Sequence, residues 1–207
     1  MKTSSRKRTL HSLLVLVLAG MAFSLALYFK PVSEPLLGDI HHHADFKVYI
    51  NNEAIDFAQE EYMSEIGGNS FNPFTHLHDM NGEVIHKHMT GLTLGDFFTS
   101  LGMSFSETCF EMDYKTKNCN NETSSLKFYV NGSLNTKFDQ YELNDLDQIL
   151  ISYGNESAEQ IQAQLDSVTD EACIYSETCP ERGNPPDESS CLGAEECLAP
   201  KINTELK

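Results

Sequence analysis

Histidine carries the clearest chemical signal in this sequence, because seven of the eight histidines fall between residues 41 and 88. They form one run, His41, His42 and His43, and two His-x-His pairs, His76 with His78 and His86 with His88. Neutral imidazole is a common ligand of zinc and copper. Residues i and i+2 of a β-strand point to the same face of a sheet, so each His-x-His pair directs two imidazoles to one side.

The two His-x-His pairs flank residues 79–82, whose composition predicts a hairpin turn. A two-residue loop would send the pairs to opposite faces of the hairpin. A three-residue loop at residues 80–82, built on a type I turn with Gly82 at a left-handed bulge, would set His76 opposite His86. All four histidines would then share one face. We favour the three-residue loop because it also places Leu77 and Ile85 together on the apolar face.

We therefore predict a site for one divalent transition metal, copper or zinc, whose ligands are His76, His78, His86 and His88. The run His41, His42 and His43 either adds ligands or belongs to a linker, and both interpretations stay open. Asp79 and Glu83 are candidates to accept hydrogen bonds from the ring N–H groups. Met80 and Met89 would favour Cu(I) if they also reached the ion. The alternative to metal binding is that these histidines are solvent-facing residues of an antiparallel sheet.

The sequence offers little for an enzyme. It contains no H-E-x-x-H, no G-x-S-x-G, no phosphate-binding P-loop and no dinucleotide fingerprint. Glu83 is a candidate general base beside an open zinc site. We therefore predict no catalytic residues and favour a binding protein over an enzyme.

Six cysteines, an even number, predict disulfide bonds if the chain is exported. The spacings favour the pairs Cys109–Cys119, Cys173–Cys179 and Cys191–Cys197, although spacing alone does not determine connectivity. No C-x-x-C motif is present, which argues against a thioredoxin-like centre and against a structural zinc site. Three Asn-x-Ser/Thr sequons, at Asn121, Asn131 and Asn155, are compatible with an exported surface.

The chain is strongly acidic, with 14 Lys and Arg against 31 Asp and Glu and a formal net charge of -17. Such a balance argues against nucleic acid as a partner, because binding phosphates requires clustered basic residues. It also argues against attachment to anionic lipid by surface charge alone.

The first 30 residues differ from the rest, because they carry five basic residues and no acidic one. Residues 13–29 are uncharged, and a run of 17 residues is about the shortest that crosses a membrane as a helix. The basic residues ahead of it predict a cytoplasmic N-terminus and an extracytoplasmic body. We favour a retained single-pass anchor in the cell membrane. The alternative is a signal peptide cleaved after the segment Ser24-Leu25-Ala26, which would release the body as a secreted protein.

The pattern along the chain predicts four parts: a basic head and anchor at residues 1–30, a stem at 31–43, a domain at 44–155 and a tail at 156–207. Within the domain, two strand regions near residues 46–57 and 75–88 precede a helix at 93–102, and strands at 126–130 and 146–154 follow it. The tail begins with an amphipathic helix near residues 157–168 and continues as an irregular, cysteine-rich segment. This order predicts an α+β fold with two layers, a mixed sheet and one packed helix.

The helix at residues 93–102 and the closing stretch at 143–151 resemble the helix and the last turn and strand of the β-grasp, or ubiquitin-like, fold. The resemblance covers roughly residues 44–154. It implies a mixed sheet with one helix packed on it. Because β-grasp domains serve many functions, the resemblance implies no particular activity.

A second resemblance rests on the N-terminal anchor and on three segments, His41 to Ile50, His76 to His88 and Cys173 to Pro180. Together they resemble a family of short, membrane-anchored, uncharacterised proteins of archaea and uncultured bacteria. Some of those proteins carry the label disulfide isomerase, which implies a thiol–disulfide function for the C-terminal cysteines, although this chain lacks C-x-x-C. The third alternative is a surface interaction domain in which the histidines are incidental.

Overall fold

The structure is a computed structural model, and it describes residues 40–64, 72, 74–112 and 115–185. The predicted head and membrane segment at residues 1–30 lie outside this range, as do most of the predicted stem and the pair Cys191 and Cys197. Among the residues that the structure describes, no helix is long and apolar enough to cross a membrane.

The described residues contain ten strands and three α-helices. The strands are β1 (His42–Ile50), β2 (Glu53–Ala54), β3 (Thr75–His76), β4 (Val84–Lys87), β5 (Ser104–Phe105), β6 (Cys109–Glu111), β7 (Lys117–Cys119), β8 (Ser125–Val130), β9 (Ser133–Leu134) and β10 (Gln148–Gly154). The helices are α1 (Leu94–Ser100), α2 (Ala158–Ser167) and α3 (Ala172–Tyr175), and short 3-10 turns lie at Glu60–Tyr62, Phe138–Gln140 and Pro180–Arg182.

One mixed sheet occupies the centre of the described part of the chain, with the strand order β3–β4–β1–β10–β8–β9. Strand β2 pairs with the second half of β1, and β4 pairs with the first half. The central strands β1 and β10 run parallel, and the other pairs are antiparallel. The α+β class and the mixed sheet with one main helix agree with the sequence prediction.

Helix α1 forms where the sequence predicts it, because local signals start it and its apolar spacing anchors it. The Thr93 side chain accepts a hydrogen bond from the Asp96 backbone, and the Asp96 carboxylate accepts one from the Thr93 backbone, which completes a capping box. Phe97 and Phe98 are buried against Phe46 of β1. Their ring centroids lie 5.3 and 6.4 Å, respectively, from the centroid of the Phe46 ring. Burial of each such side chain contributes roughly 1.5–3 kcal/mol.

The C-terminal segment covers the opposite face of the sheet from α1. The fold therefore has three layers, one more than the sequence predicted. Side chains alternate along β1, so Phe46 faces α1 while Asp45 and Tyr49 face the other way. The Asp45 carboxylate accepts hydrogen bonds from the Thr169 hydroxyl and from two backbone N–H groups, those of Glu171 and Ala172. The Tyr49 and Ser167 hydroxyls lie 2.8 Å apart. These contacts fix the tail over the strand ends that carry the histidines.

Two sequence expectations are wrong in detail. The region predicted as a loop, residues 104–125, contains the small sheet of β5, β6 and β7, which the Cys109–Cys119 disulfide joins at paired positions. The predicted stem, residues 31–43, extends too far, because β1 already begins at His42. Short polar strands carry little apolar periodicity, so the pattern alone did not reveal them.

Candidate metal centre

Strands β1, β3 and β4 bring six histidines to one face of the sheet. His86 of β4 lies opposite His43 of β1 and opposite His76 of β3, so these three share a face. The remaining members lie just outside the strands, two residues from one of these, and their rings contact the rings of the first three. We call this set the histidine cluster: His41, His43, His76, His78, His86 and His88. The predicted register, with His76 opposite His86, is confirmed.

The turn that sets this register differs from the predicted one. The Asn81 backbone N–H donates to the His78 carbonyl at 3.0 Å, and Asp79 and Met80 have φ values of 56° and 57°. Two central residues with positive φ define a type I′ turn, so the predicted type I turn with Gly82 at a left-handed bulge is wrong. Position 82 requires glycine for a steric reason instead, because a Cβ there would lie 2.3 Å from the backbone nitrogen of Ala58.

The run at residues 41–43 divides between the two faces of β1. His41 and His43 belong to the histidine cluster, whereas His42 lies opposite Lys87 and points to the other face. The structure therefore does not bring His42 to the site, although the sequence made it a candidate ligand. Alternation in a strand separates it from its neighbours.

The six rings form a closed circuit in which each ring contacts the next. The centroid separations around the circuit are 3.8 Å (His78–His86), 4.6 Å (His86–His43), 4.5 Å (His43–His41), 4.7 Å (His41–His88), 5.1 Å (His88–His76) and 5.6 Å (His76–His78). His43, His76, His78 and His86 are buried, while His41 is exposed and His88 is partly buried. The cluster thus has a buried interior and an edge that is open to solvent.

The Asp79 carboxylate orients the His78 ring within the histidine cluster. His78 Nδ1 lies 2.7 Å from Asp79 Oδ2, and His78 Nε2 lies 3.1 Å from His86 Nδ1. A carboxylate carries no hydrogen at neutral pH, so His78 donates through Nδ1. This is the arrangement predicted for Asp79, and carboxylates commonly hold metal-binding histidines in this way. Glu83 does not take such a role, because its carboxylate lies 3.1 Å from the Lys47 ammonium.

A second carboxylate, that of Asp145, orients the His43 ring through the Ser176 hydroxyl. The Ser176 hydroxyl donates to Asp145 Oδ1 at 2.5 Å and lies 2.7 Å from His43 Nδ1. The serine hydrogen is directed to Asp145, so Ser176 accepts the Nδ1–H of His43. His43 Nε2 then lies 3.2 Å from His41 Nε2. Ser176 and Asp145 were missed from the sequence, since they lie more than 100 residues from His43 and no spacing pattern links them.

Burial lowers the pKa of three histidines of the cluster, His43, His76 and His86. Desolvation, followed by charge repulsion from neighbouring imidazoles, lowers the pKa of His43 to about 2 and that of His76 to about 3. The same causes hold the pKa of the fully buried His86 well below its ordinary value of 6.5. A neutral imidazole is the form that binds a metal ion. The rings of His43, His76 and His86 are therefore in the protonation state that a metal ion would require.

A disulfide-closed loop, which we call the roof loop, covers the histidine cluster. The Cys173–Cys179 bond closes a loop that contains Tyr175 and Ser176. The Tyr175 ring lies 5.0 Å from the His86 ring, measured between centroids, and its hydroxyl accepts a hydrogen bond from Asn81 Nδ2 at 3.0 Å. Both disulfides that fall within the described residues match the predicted pairing. The sequence indicated this loop but not its position over the cluster.

Comparisons with protein-family models, with curated proteins and with solved structures find no match to this chain.

Proposed function

We propose that this chain is a membrane-anchored, extracytoplasmic protein that binds a divalent transition metal, copper or zinc, through the histidine cluster. The observation that carries the proposal is the closed circuit of six imidazoles, oriented from both ends by carboxylates. Affinity alone favours Cu(II) over Zn(II) at nitrogen ligands, but availability also decides which ion a protein holds.

Burial of the cluster supports binding over an incidental, solvated set of histidines. Four of the six imidazoles are buried, although burying polar rings costs free energy that apolar side chains would not. A metal ion offsets that cost, because it binds the ring nitrogens directly. The exposed His41 at one edge gives an ion a route into the buried interior.

The sequence supports the proposed membrane anchor and the proposed export of the body. The basic head, the uncharged run at residues 13–29 and the even number of cysteines all support an oxidising, extracytoplasmic location. The two disulfides among the described residues are consistent with that location.

We also propose that the domain is a β-grasp fold. The order β4–β1–β10–β8–β9, with a parallel central pair and with α1 between β4 and β8 in the chain, supports this assignment. The fold assigns no function, but it explains how strands distant in sequence place histidines side by side.

Calorimetric titration with Zn(II) and Cu(II) tests the metal proposal. The wild-type protein, stripped with a chelator, should bind either ion, and the variant His76→Ala/His86→Ala should lose at least 10-fold in affinity. His42→Ala is the matched control, because this histidine lies on the other face, and it should bind like wild type. Circular dichroism confirms that each variant is folded. Absence of binding by the wild-type protein would contradict the proposal.

A thiol–disulfide function is the second candidate, and one contact favours it. Arg182 Nη1 lies 3.5 Å from Cys173 Sγ, and a guanidinium beside a cysteine stabilises the thiolate. Cys173 is also partly exposed. If this function holds, a glutathione redox buffer should reduce Cys173–Cys179 through a mixed disulfide, and Arg182→Gln should slow the exchange. A disulfide that stays intact in that buffer would contradict this candidate.

A further inference from the structure

Six imidazoles are more than one ion uses. Zinc takes about four ligands in closed structural sites and about three protein ligands in open ones. The histidine cluster therefore either leaves some rings without a role or divides them between ions. The contacts inside the cluster distinguish these two arrangements.

Two pairs of ring nitrogens have the separation expected of two ligands on one ion. His78 Nε2 and His86 Nδ1 lie 3.1 Å apart, and His43 Nε2 and His41 Nε2 lie 3.2 Å apart. Two nitrogens at about 2.0–2.1 Å from a tetrahedral ion lie about 3.4 Å from each other. The two pairs have no residue in common, so each fits an ion of its own.

Each pair also has its own orienting carboxylate. Asp79 receives the Nδ1–H of His78, and Asp145 acts through Ser176 on the Nδ1–H of His43. In both histidines this leaves the Nε2 lone pair directed at the other member of the pair. In metal-bound histidines, a hydrogen bond from the ring nitrogen that does not bind the metal commonly orients the ring. The chain thus repeats the same arrangement at two places in one cluster.

The two remaining histidines supply a third ligand for each pair. The His76 ring lies 5.1 Å from the His88 ring, but it also lies 5.6 and 5.8 Å from the rings of both members of the first pair, His78 and His86, which assigns it to that pair. The His88 ring lies 4.7 Å from the His41 ring, which assigns it to the second. The rings of His43 and His86, one from each set, have centroids 4.6 Å apart. Two ions held by these sets would therefore be close neighbours.

We propose that the cluster holds two divalent transition-metal ions, one bound by His76, His78 and His86 and the other by His41, His43 and His88. This inference rests on the proposed metal-binding function and specifies its stoichiometry and ligands. A competing arrangement uses His41, His86 and His88, each of which offers a ring nitrogen within 4.8 Å of the others. That set draws on both halves of the cluster and describes a single ion.

Titration of the full-length, chelator-stripped protein with Cu(II) separates these arrangements. Calorimetry should give two ions per chain, and electron paramagnetic resonance should show the broadened, dipole-coupled spectrum of two neighbouring Cu(II) ions. One ion per chain at saturation, with an uncoupled spectrum, would overturn the two-ion inference and leave metal binding intact. Binding of no ion would contradict the proposed function itself.

A variant tests the assignment of ligands. His41→Ala/His88→Ala removes one exposed and one partly buried ring, so it leaves the buried core in place. It should bind one Cu(II) per chain and lose the coupled spectrum, whereas the control His42→Ala should keep two ions and the coupling. If the double variant still binds two ions, or binds none while wild type binds two, the division into two sets of three is wrong.

Discussion

Individual histidines in this protein owe their chemistry to where the sheet places them. His43 and His86 are fully buried and have other imidazoles among their ring neighbours, so a proton on either would be both desolvated and repelled. His41, two residues from His43, is exposed. The same side chain is therefore buried at some positions of the cluster and exposed to solvent at another.

The lowered pKa values predict that the metal-free protein loses stability in mild acid. The pKa is about 2 for His43 and about 3 for His76, against about 6.5 in the unfolded chain, so the unfolded state binds protons first. Their contribution is fully present above pH ~6.5 and falls by up to about 1.4 kcal/mol per histidine for each pH unit below it. Urea unfolding of the chelator-stripped protein at pH 7 and pH 5 should show a loss of roughly 2 kcal/mol per histidine.

The variant His76→Leu provides the check on this pH dependence. It removes one of the depressed groups, so its unfolding free energy should change less between pH 7 and pH 5 than that of wild type. Equal unfolding free energies at the two pH values in the wild-type protein would contradict burial of neutral histidines.

The carboxylate of Asp79 should strengthen metal binding without being a ligand. Asp79→Asn keeps a residue that tolerates positive φ in the type I′ turn but removes the charge that holds His78. We expect a loss of about 10-fold in Zn(II) affinity, smaller than the loss from a missing ligand. Asp166→Asn, on the outer side of α2, is the control and should bind like wild type. Calorimetry measures both, and an unchanged affinity in Asp79→Asn would show that the orienting role is wrong.

The elements of the fold differ in how far the sequence predicts them. Helix α1 was predicted because its cap and apolar spacing are local, and the register of β3 and β4 was predicted because Leu77 and Ile85 had to face the core. The turn was not, since methionine rarely adopts the positive φ that Met80 has here. The roof over the cluster was not predictable either, because Asp45 binds residues more than 100 positions away.

The roof loop should matter to the metal and not only to stability. Cys173→Ser/Cys179→Ser opens the loop that holds Ser176 against His43, so we expect weaker Zn(II) binding together with a loss of roughly 2 kcal/mol in unfolding free energy. The matched control is Cys109→Ser/Cys119→Ser, which removes the disulfide of the small sheet. It should destabilise by roughly 2–4 kcal/mol and leave metal affinity unchanged. Equal affinity in both double variants would mean that the loop does not support the site.

At the scale of the whole molecule, an acidic body follows a basic head. The first 30 residues carry five basic and no acidic residues, which leaves a formal net charge of -22 on the remainder. The basic residues ahead of the uncharged run favour the proposed topology, with a cytoplasmic N-terminus and an exported body. An acidic surface also raises the local concentration of cations, which suits a protein that captures metal ions.

This topology predicts that a protease added to intact cells digests the body. An epitope placed at residue 1 should stay protected, whereas one placed after residue 207 should be lost, because the membrane lies between them. Immunoblotting before and after treatment measures both epitopes. Protection of the C-terminal epitope in intact cells would contradict export.

The metal content of the purified full-length protein decides whether the histidine cluster is a metal site. Purification without an affinity tag or added metal, followed by elemental analysis, should find copper or zinc at one to two ions per chain. The variant His76→Ala/His86→Ala should hold clearly less, and His42→Ala should match wild type. Wild-type protein that is folded, disulfide-bonded and free of transition metal, and that takes up none when Zn(II) or Cu(II) is supplied, would contradict the metal-binding account.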